Sequence, residues 1–115
     1  MNSLENRPVN VGLIGMGNIG TGVVRWFQNG GGDKFNLHLR RVAVANLAKP
    51  RGRGDEFSHF AHHLTDNPVD ILRDPSIDII VELMGGVDIP RMIALDAIDS
   101  RKSVVNANKL YWHAI

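Results

Sequence analysis

Three glycines near the start of this 115-residue sequence are spaced as G-x-G-x-x-G, a pattern with a direct chemical use. Gly15 would allow a tight turn from a strand into a helix, Gly17 would let the backbone approach a pyrophosphate, and Gly20 would let the helix pack closely against the strand. The N–H groups at the start of that helix offer hydrogen bonds and partial positive charge to phosphates. We therefore predict dinucleotide binding; the alternative is a structural turn without a ligand.

The motif has the two flanking elements that it needs. The apolar residues 9–14 predict a buried strand, and a helix is expected from Asn18 to the stop at Asn29-Gly-Gly-Gly. Apolar residues at helical spacing are expected to face the sheet as core residues, rather than to stack on a cofactor: Ile19, Val23, Trp26 and Phe27.

Strand and helix patterns alternate along the rest of the chain. We predict strands over residues 37–46, 77–84 and 103–107, and helices over 69–72 and from Asp88-Ile-Pro90 onward. Residues 57–64 are compatible with a short helix or with an irregular segment containing a minor strand. The predicted fold class is α/β, an incomplete Rossmann-type doubly wound parallel sheet of about four to five strands with helices on both faces, forming one domain over residues 1–115.

In such a sheet the ligand crevice lies outside the carboxyl ends of the strands. Four predicted loops follow strand ends, namely residues 15–20, 45–53, 85–86 and 106–109. They are expected to converge on one crevice that holds the glycines and several basic side chains.

The end of the second strand should distinguish NAD from NADP. An NAD site usually has Asp or Glu there for the ribose 2′-hydroxyl, whereas this chain has Asn46, followed by Lys49, Arg51 and Arg53. Lys and Arg give charge-assisted hydrogen bonds to a 2′-phosphate. NADP is therefore favoured over NAD, with the alternative that these side chains form a solvated loop and the site accepts both.

Composition excludes several classes. The chain is 43% hydrophobic with a net charge of +1, has no apolar run as long as the ~18 residues of a membrane span, and lacks a signal-peptide pattern at its start. Because there is no cysteine, disulfides, thiolate catalysis and cysteine-based zinc sites are excluded, which fits a cytoplasmic protein. Residues 34–53 contain six Lys or Arg and no acid, but Phe35 is the only Phe, Tyr or Trp among them, so the aromatic side chains needed for base stacking are lacking and we expect no nucleic-acid partner.

Two further features carry weaker implications. His59, His62 and His63 have a spacing that could align imidazoles on a helix, but no Glu-based signature accompanies them, so we predict no metal site. Glu82 lies in an apolar predicted strand and must be paired or sit at the crevice end if it is ionised. A structural role and a ligand-side role both remain open for it.

Four segments together resemble the amino-terminal NAD(P)-binding domain of homoserine dehydrogenase. They are V-G-L-I-G-M-G-N-I-G-T-G-V-V at residues 11–24, L-A-K-P-R at 47–51, D-I-I-V-E-L-M-G-G at 78–86 and V-V-N-A-N-K at 104–109. The last two are more specific than the glycine pattern, and together the four span nearly the whole chain. The resemblance implies NAD(P)-dependent, reversible interconversion of L-homoserine and L-aspartate 4-semialdehyde, on the route to threonine and methionine.

The resemblance also implies roles for individual residues. Met16, Asn18 and Ile19 fall where the family's glycine loop touches the dinucleotide, and Gly85 with Gly86 falls in the loop that passes the nicotinamide ribose. Asn108 and Lys109 align with the segment near the nicotinamide. Many members have Arg-Asp where this chain has Ala45-Asn46, so a phosphate-binding role would pass to Lys49 or Arg51, or be absent.

Lys109 is the candidate catalytic residue. Hydride transfer requires a group that removes the alcohol proton or stabilises the alkoxide, and a desolvated lysine beside a cationic ring can have its pKa lowered enough to do so. The open alternatives are positioning of the cofactor or substrate, direct proton transfer, and an ordinary surface lysine.

The family's substrate and dimerisation domain is not in this sequence. We therefore expect a cofactor-binding fragment that is inactive alone, whose parent is a homo-oligomer acting on a small amino acid. The alternatives are the cofactor domain of another small-substrate NAD(P) dehydrogenase and a non-catalytic nucleotide-binding module.

Overall fold

The structure is a computed structural model, and it describes residues 7–84 and 102–106. Strand β1 (Val9–Ile14) leads into helix α1 (Asn18–Gln28), followed by a 3₁₀ turn (Asp33–Phe35) and β2 (Leu37–Ala43). A 3₁₀ helix (Ser58–His63), the short β3 (Leu64–Thr65), α2 (Val69–Leu72), β4 (Ile79–Glu82) and β5 (Ser103–Asn106) complete the described elements. Among these residues, no helix is long and apolar enough to span a membrane.

The five described strands form one parallel sheet in the order β3-β2-β1-β4-β5. Strands β2 and β3 lie on one side of β1, and β4 and β5 lie on the other side, so the strand order reverses between β1 and β4. This reversal is the switch point at which doubly wound sheets open a ligand crevice. The predicted Rossmann-type fold class is confirmed.

Apolar clusters cover both faces of the sheet. Neighbouring residues of β1 alternate between them, with Leu13 packing beside Val24 of α1 and Ile14 packing beside Ile71 of α2. Leu13, Ile14 and Ile71 are each at most 1% exposed. Because a strand alternates its side chains between faces, the continuous apolar run of β1 is explained by helices on both sides.

The predicted stripe on α1 is wrong for two of its four residues. Ile19 is 68% and Trp26 44% exposed, while Val24 is 1% exposed. Gly20 is the point of closest approach between α1 and the turn after β1. Because each residue turns the helix by about 100°, Val24 and Phe27 lie on the same face as Gly20, whereas Ile19 and Trp26 lie about 100° or more away from it. Trp26 instead covers the backbone of Gly31 and meets Phe27 edge to face at 4.9 Å.

Several strands and helices begin or end at other residues than the sequence predicted. Strand β2 ends at Ala43 rather than at residue 46, because the Asn46 side chain accepts a hydrogen bond from the Ala48 N–H at 2.9 Å and begins a turn. The predicted strand 77–84 is narrower, at Ile79–Glu82, and both options for residues 57–64 occur in succession, as a 3₁₀ helix and the start of β3. The helix expected from Asp88 lies outside the described residues.

Candidate functional site

A cavity of about 580 Å³ opens at the carboxyl ends of the strands, and we call it the crevice. Its volume falls in the range typical of small-molecule sites. Its walls come from the turn after β1, the loop after β2, the turn after β3 and the two residues after β4. The described residues that line it are Ile14, Gly15, Met16, Gly17, Asn18, Thr21, Ala43, Val44, Ala45, Asn46, Lys49, Pro50, Arg51, Gly52, Asp66, Pro68, Leu83 and Met84.

The glycine turn (residues 15–20) is held by the sheet. The Gly15 N–H donates to the Ala43 carbonyl at 2.9 Å, and the Leu83 N–H donates to the Ile14 carbonyl, also at 2.9 Å. Gly15 has φ +101°, a conformation that side chains with a Cβ rarely adopt. The turn therefore begins with a backbone geometry that glycine permits, fixed between two neighbouring strands.

Gly17 and Gly20 serve different purposes. A Cβ on Gly20 would lie 2.2 Å from the Gly15 carbonyl oxygen, so this glycine permits the contact between helix and turn. A Cβ on Gly17 would meet no atom of the described residues within 4 Å and would project into open space. Of these two glycines, only Gly20 is required by the packing of α1 against the turn. The bare backbone at Gly17 leaves room at the crevice for a ligand.

The start of α1 is suited to an anion. The first helical hydrogen bond runs from the Thr21 N–H to the Gly17 carbonyl at 2.8 Å, so the preceding amides of the first turn have no helical partner. The N-cap Gly17 supplies no side-chain cap, and the first turn of α1 contains no acidic residue. These amides and the helix dipole fit a diphosphate group.

The basic loop (residues 45–57) forms the wall after β2. The Arg51 guanidinium donates to the backbone carbonyls of Lys49 at 2.8 Å and Leu47 at 3.3 Å, and also to that of Asn46. Arg51 therefore folds its own loop, although it still lines the crevice. Lys49 is exposed and lines the same wall.

The far end of the basic loop is tied to α1 by an ion pair. The Arg25 guanidinium donates twice to the Glu56 carboxylate, at 2.5 and 2.8 Å, and the Gln28 side chain donates to the Glu56 carbonyl at 2.8 Å. The hydrogen bond from Arg25 lowers the pKa of Glu56 to about 2. Since α1 also begins at the glycine turn, this pair couples the positions of the two crevice walls.

Folding removes much of the charge asymmetry of the sequence. Arg40 lies 4.0 Å from the Asp74 carboxylate, and Arg41 lies 3.9 Å from that of Asp70. Neither arginine lines the crevice. Of the six basic residues in 34–53, only Lys49 and Arg51 line the crevice.

Glu82 is fully buried at the carboxyl end of β4, between Ile14 of β1 and Asn106 of β5 in the strand register. Its carboxylate accepts the Met84 N–H at 2.5 Å, and burial raises the pKa of its carboxyl group. Glu82 therefore shapes the backbone of Leu83 and Met84, which line the crevice. This position gives it a structural role directly beside the site.

The residues singled out from the sequence fall into three groups. Gly15, Met16, Gly17, Asn18, Asn46, Lys49 and Arg51 line the crevice together. Gly20 supports it from below, and Ile19 is exposed and is not among the lining residues. Gly85, Gly86, Asn108 and Lys109 lie outside the described residues.

The structure adds lining residues that the sequence did not indicate. Thr21 lies one helical turn after Gly17, and Leu83 and Met84 are the two residues directly after β4. Asp66 and Pro68 reach the crevice because β3 lies beside β2. No pattern in the sequence distinguishes Asp66 from the acids around it, since a two-residue strand gives almost no periodic signal.

Two of the three histidines singled out above have other contacts. The His63 Nδ1 lies 2.9 Å from the Arg40 carbonyl, and its ring stacks on Phe60 and lies 4.0 Å from the His62 ring. Within residues 7–84 and 102–106, no group of three or more His, Cys, Asp or Glu residues is arranged to hold a metal ion.

The family model and the curated relatives name one family. The family model described as "Homoserine dehydrogenase, NAD binding domain" matches residues 15–112. The homoserine dehydrogenase of Bacillus subtilis is 34% identical over 110 residues, a match that covers 90% of this chain and 24% of that protein. The chain thus spans about a quarter of the length of the curated relatives that it matches.

Solved structures give the same result. The crystal structure of Staphylococcus aureus homoserine dehydrogenase at pH 6.5 superposes with a TM-score of 0.77 at 30% identity, covering 94% of this chain and 29% of that one. The homoserine dehydrogenase of Thiobacillus denitrificans gives a TM-score of 0.72 at 35% identity, covering 91% of this chain and 24% of that one. The family model extends over most of the sequence, and this chain therefore belongs to the NAD-binding domain family of homoserine dehydrogenases.

Proposed function

We propose that this chain, as one domain over residues 1–115, supplies the dinucleotide site of an enzyme that interconverts L-homoserine and L-aspartate 4-semialdehyde on the route to threonine and methionine. The observation that carries the proposal is the pair of glycines at the crevice. Gly20 is required by packing, whereas Gly17 lines the crevice and a Cβ there would meet no described residue within 4 Å. A diphosphate beside the uncapped start of α1 uses that space and those amides.

The proposed cofactor is a nicotinamide dinucleotide, with NADP favoured over NAD. When bound, it accepts a hydride from the alcohol carbon of homoserine. The glycine turn would hold the diphosphate, and the wall after β2, with Asn46 and Lys49, would hold the adenosine ribose. Lys49 supports NADP because it is an exposed basic residue that lines this wall, while Arg51 supports it indirectly by fixing the loop.

The binding test is calorimetric titration of the chain with NADP and NAD separately. We expect both to bind at one site and NADP to bind more tightly. Tighter binding of NAD would contradict the preference for NADP, and no binding of either would contradict the dinucleotide site itself. The titration should be repeated at two salt concentrations, because a contribution from Lys49 to a 2′-phosphate weakens with ionic strength.

Residues beyond the described part complete the proposed site. Gly85 and Gly86 follow β4, and Asn108 and Lys109 follow β5, so both pairs follow strands on the side of the sheet opposite to β2. That side would hold the nicotinamide half of the cofactor. Lys109 is proposed to position the reacting hydroxyl or to take its proton as the hydride leaves.

We further propose that this chain binds cofactor but does not oxidise homoserine alone, and that the active parent is a homo-oligomer. Support comes from its span, since relatives of the same family are about four times as long. Mixing the chain with homoserine and NADP should give no absorbance from reduced cofactor, although titration shows binding. Formation of reduced cofactor by the chain alone would overturn this part of the proposal.

A further inference from the structure

Asp66 occupies a defined place in the crevice. The β2–β3 register pairs Ala43 with Thr65, and the Val44 N–H donates to the Thr65 carbonyl at 2.8 Å, so Asp66 follows directly at the end of the ladder. On the other side of β2, Ile14 pairs with Ala43. Gly15, Val44 and Asp66 are thus the next residues along three adjacent strands, and all three line the crevice.

The distance from the glycine turn indicates which part of a dinucleotide would reach Asp66. Neighbouring strands lie about 4.8 Å apart, so Asp66 is roughly 10 Å across the sheet from the turn that would hold the diphosphate. The end of β2, between the two, is where such sites read the adenosine ribose. One strand further out, the next group of the ligand is the adenine base.

The other polar side chains of this turn are used locally. The Thr65 hydroxyl donates to Asp70 at 2.5 Å and accepts the Asn67 N–H at 3.1 Å, while the Asn67 side chain accepts the Val69 N–H at 3.0 Å. Asp66 is exposed, and no residue in the described part of the chain donates a hydrogen bond to its carboxylate. Asp66 is therefore not the cap of this turn, although its neighbours are.

The chemistry of the wall fits adenine. An ionised carboxylate only accepts hydrogen bonds, and the exocyclic amine of adenine is a donor. Pro68 lines the same end of the crevice and offers an apolar ring to the face of a base. We propose that Asp66 recognises adenine by accepting a hydrogen bond from its exocyclic amine, an assignment that rests on the dinucleotide site proposed above.

The test compares two ligands that differ only at that amine. The analogue, in the form with or without the 2′-phosphate, carries a hydrogen atom at the purine carbon that bears the amine in adenine and is otherwise identical. The wild-type chain should bind the adenine ligand about tenfold more tightly, because the carboxylate has no donor at that position in the analogue. In Asp66→Asn, whose neutral amide oxygen accepts a weaker hydrogen bond from the amine, the preference should fall to about threefold.

A matched control removes the effect of charge alone. Asp55→Asn makes the same change on an exposed residue of the basic loop that does not line the crevice, and it should keep the tenfold preference. Thermal unfolding of both variants shows that they are folded. Because the preference is a ratio within one variant, a general loss of affinity does not imitate the result.

The outcomes separate this inference from the proposed function. If the wild-type chain binds neither ligand, the dinucleotide site and the inference both fall. If it binds the two ligands equally, or if Asp66→Asn keeps the preference, the inference is overturned while the site stands. A third outcome is that Asp66→Asn lowers the affinity for NAD but not for NADP, while the preference for adenine is unchanged. Asp66 would then contact the ribose rather than the base, and the inference would also be wrong.

Discussion

The two walls of the crevice are built in different ways. The glycine turn is shaped by backbone contacts: a positive φ at Gly15, its bond to Ala43, and a helix that can approach only because Gly20 lacks a side chain. The basic loop is shaped by side chains, with Arg51 bound to three carbonyls of its own loop and Glu56 bound to Arg25. The glycine turn should therefore tolerate no added side chain at Gly15 or Gly20, and the basic loop should respond gradually to substitution.

The largest effect should come from the contact between helix and turn. Gly20→Ala places a Cβ 2.2 Å from a backbone oxygen that the sheet holds in place, so we expect the free energy of unfolding to fall by about 3 kcal/mol. Urea denaturation followed by circular dichroism measures it. Gly22→Ala is the control, since a Cβ there meets nothing within 4 Å and should stabilise α1 by about 1 kcal/mol. Equal effects at the two positions would contradict the close-approach role of Gly20.

The next effect should separate binding from stability. Gly17→Ala adds a Cβ in open space, so the unfolding midpoint should hardly change, whereas NADP should bind about tenfold more weakly, or about 1.4 kcal/mol. Titration calorimetry and thermal unfolding on one preparation measure both. Unchanged affinity in a folded variant would show that no ligand approaches the backbone there.

The basic loop should give a selective effect. Lys49→Ala should weaken NADP about tenfold and leave NAD nearly unchanged, because only the 2′-phosphate uses the ammonium. Arg51→Ala removes the hydrogen bonds that fold the loop and should weaken both cofactors. Lys34→Ala, a basic residue away from the crevice lining, is the control. If Lys49→Ala weakened NAD and NADP equally, Lys49 would have no part in discrimination.

The smallest effect should appear in the acid stability of the ion pair. The folded pKa of Glu56 is about 2, below its ordinary 4.5, so its contribution to stability is present above pH 4.5 and is lost as the pH falls towards 2. Glu56→Gln should lower the free energy of unfolding at neutral pH. It should also reduce the change of this free energy with pH between pH 4.5 and 2. Chemical denaturation between pH 2 and 7 measures this, with Asp55→Asn as the control. If Glu56→Gln left the loss of stability between pH 4.5 and 2 unchanged, the ion pair would be too exposed to solvent to contribute to stability.

The two walls also differ in how far the sequence predicted them. The glycine turn was predictable because its strand, its spacing and the start of α1 all follow from local rules, and β1 (Val9–Ile14) and α1 (Asn18–Gln28) have the expected bounds. The basic loop was predicted only as a set of charges. That Arg51 faces its own carbonyls, and that Arg40 and Arg41 meet acids 30 or so residues away, depends on contacts between distant segments.

The sequence by itself determined the α/β class, the turn after β1 and the family, because glycine spacing, apolar runs and helix stops are local consequences of backbone sterics and burial. The tertiary structure decided which face of α1 is buried, since Gly20 sets the rotation of the helix against β1. It also decided that Asp66 joins the crevice and that Ile19 does not. The physical reason is that strand order and helix rotation bring together residues whose separation along the chain carries no local signal.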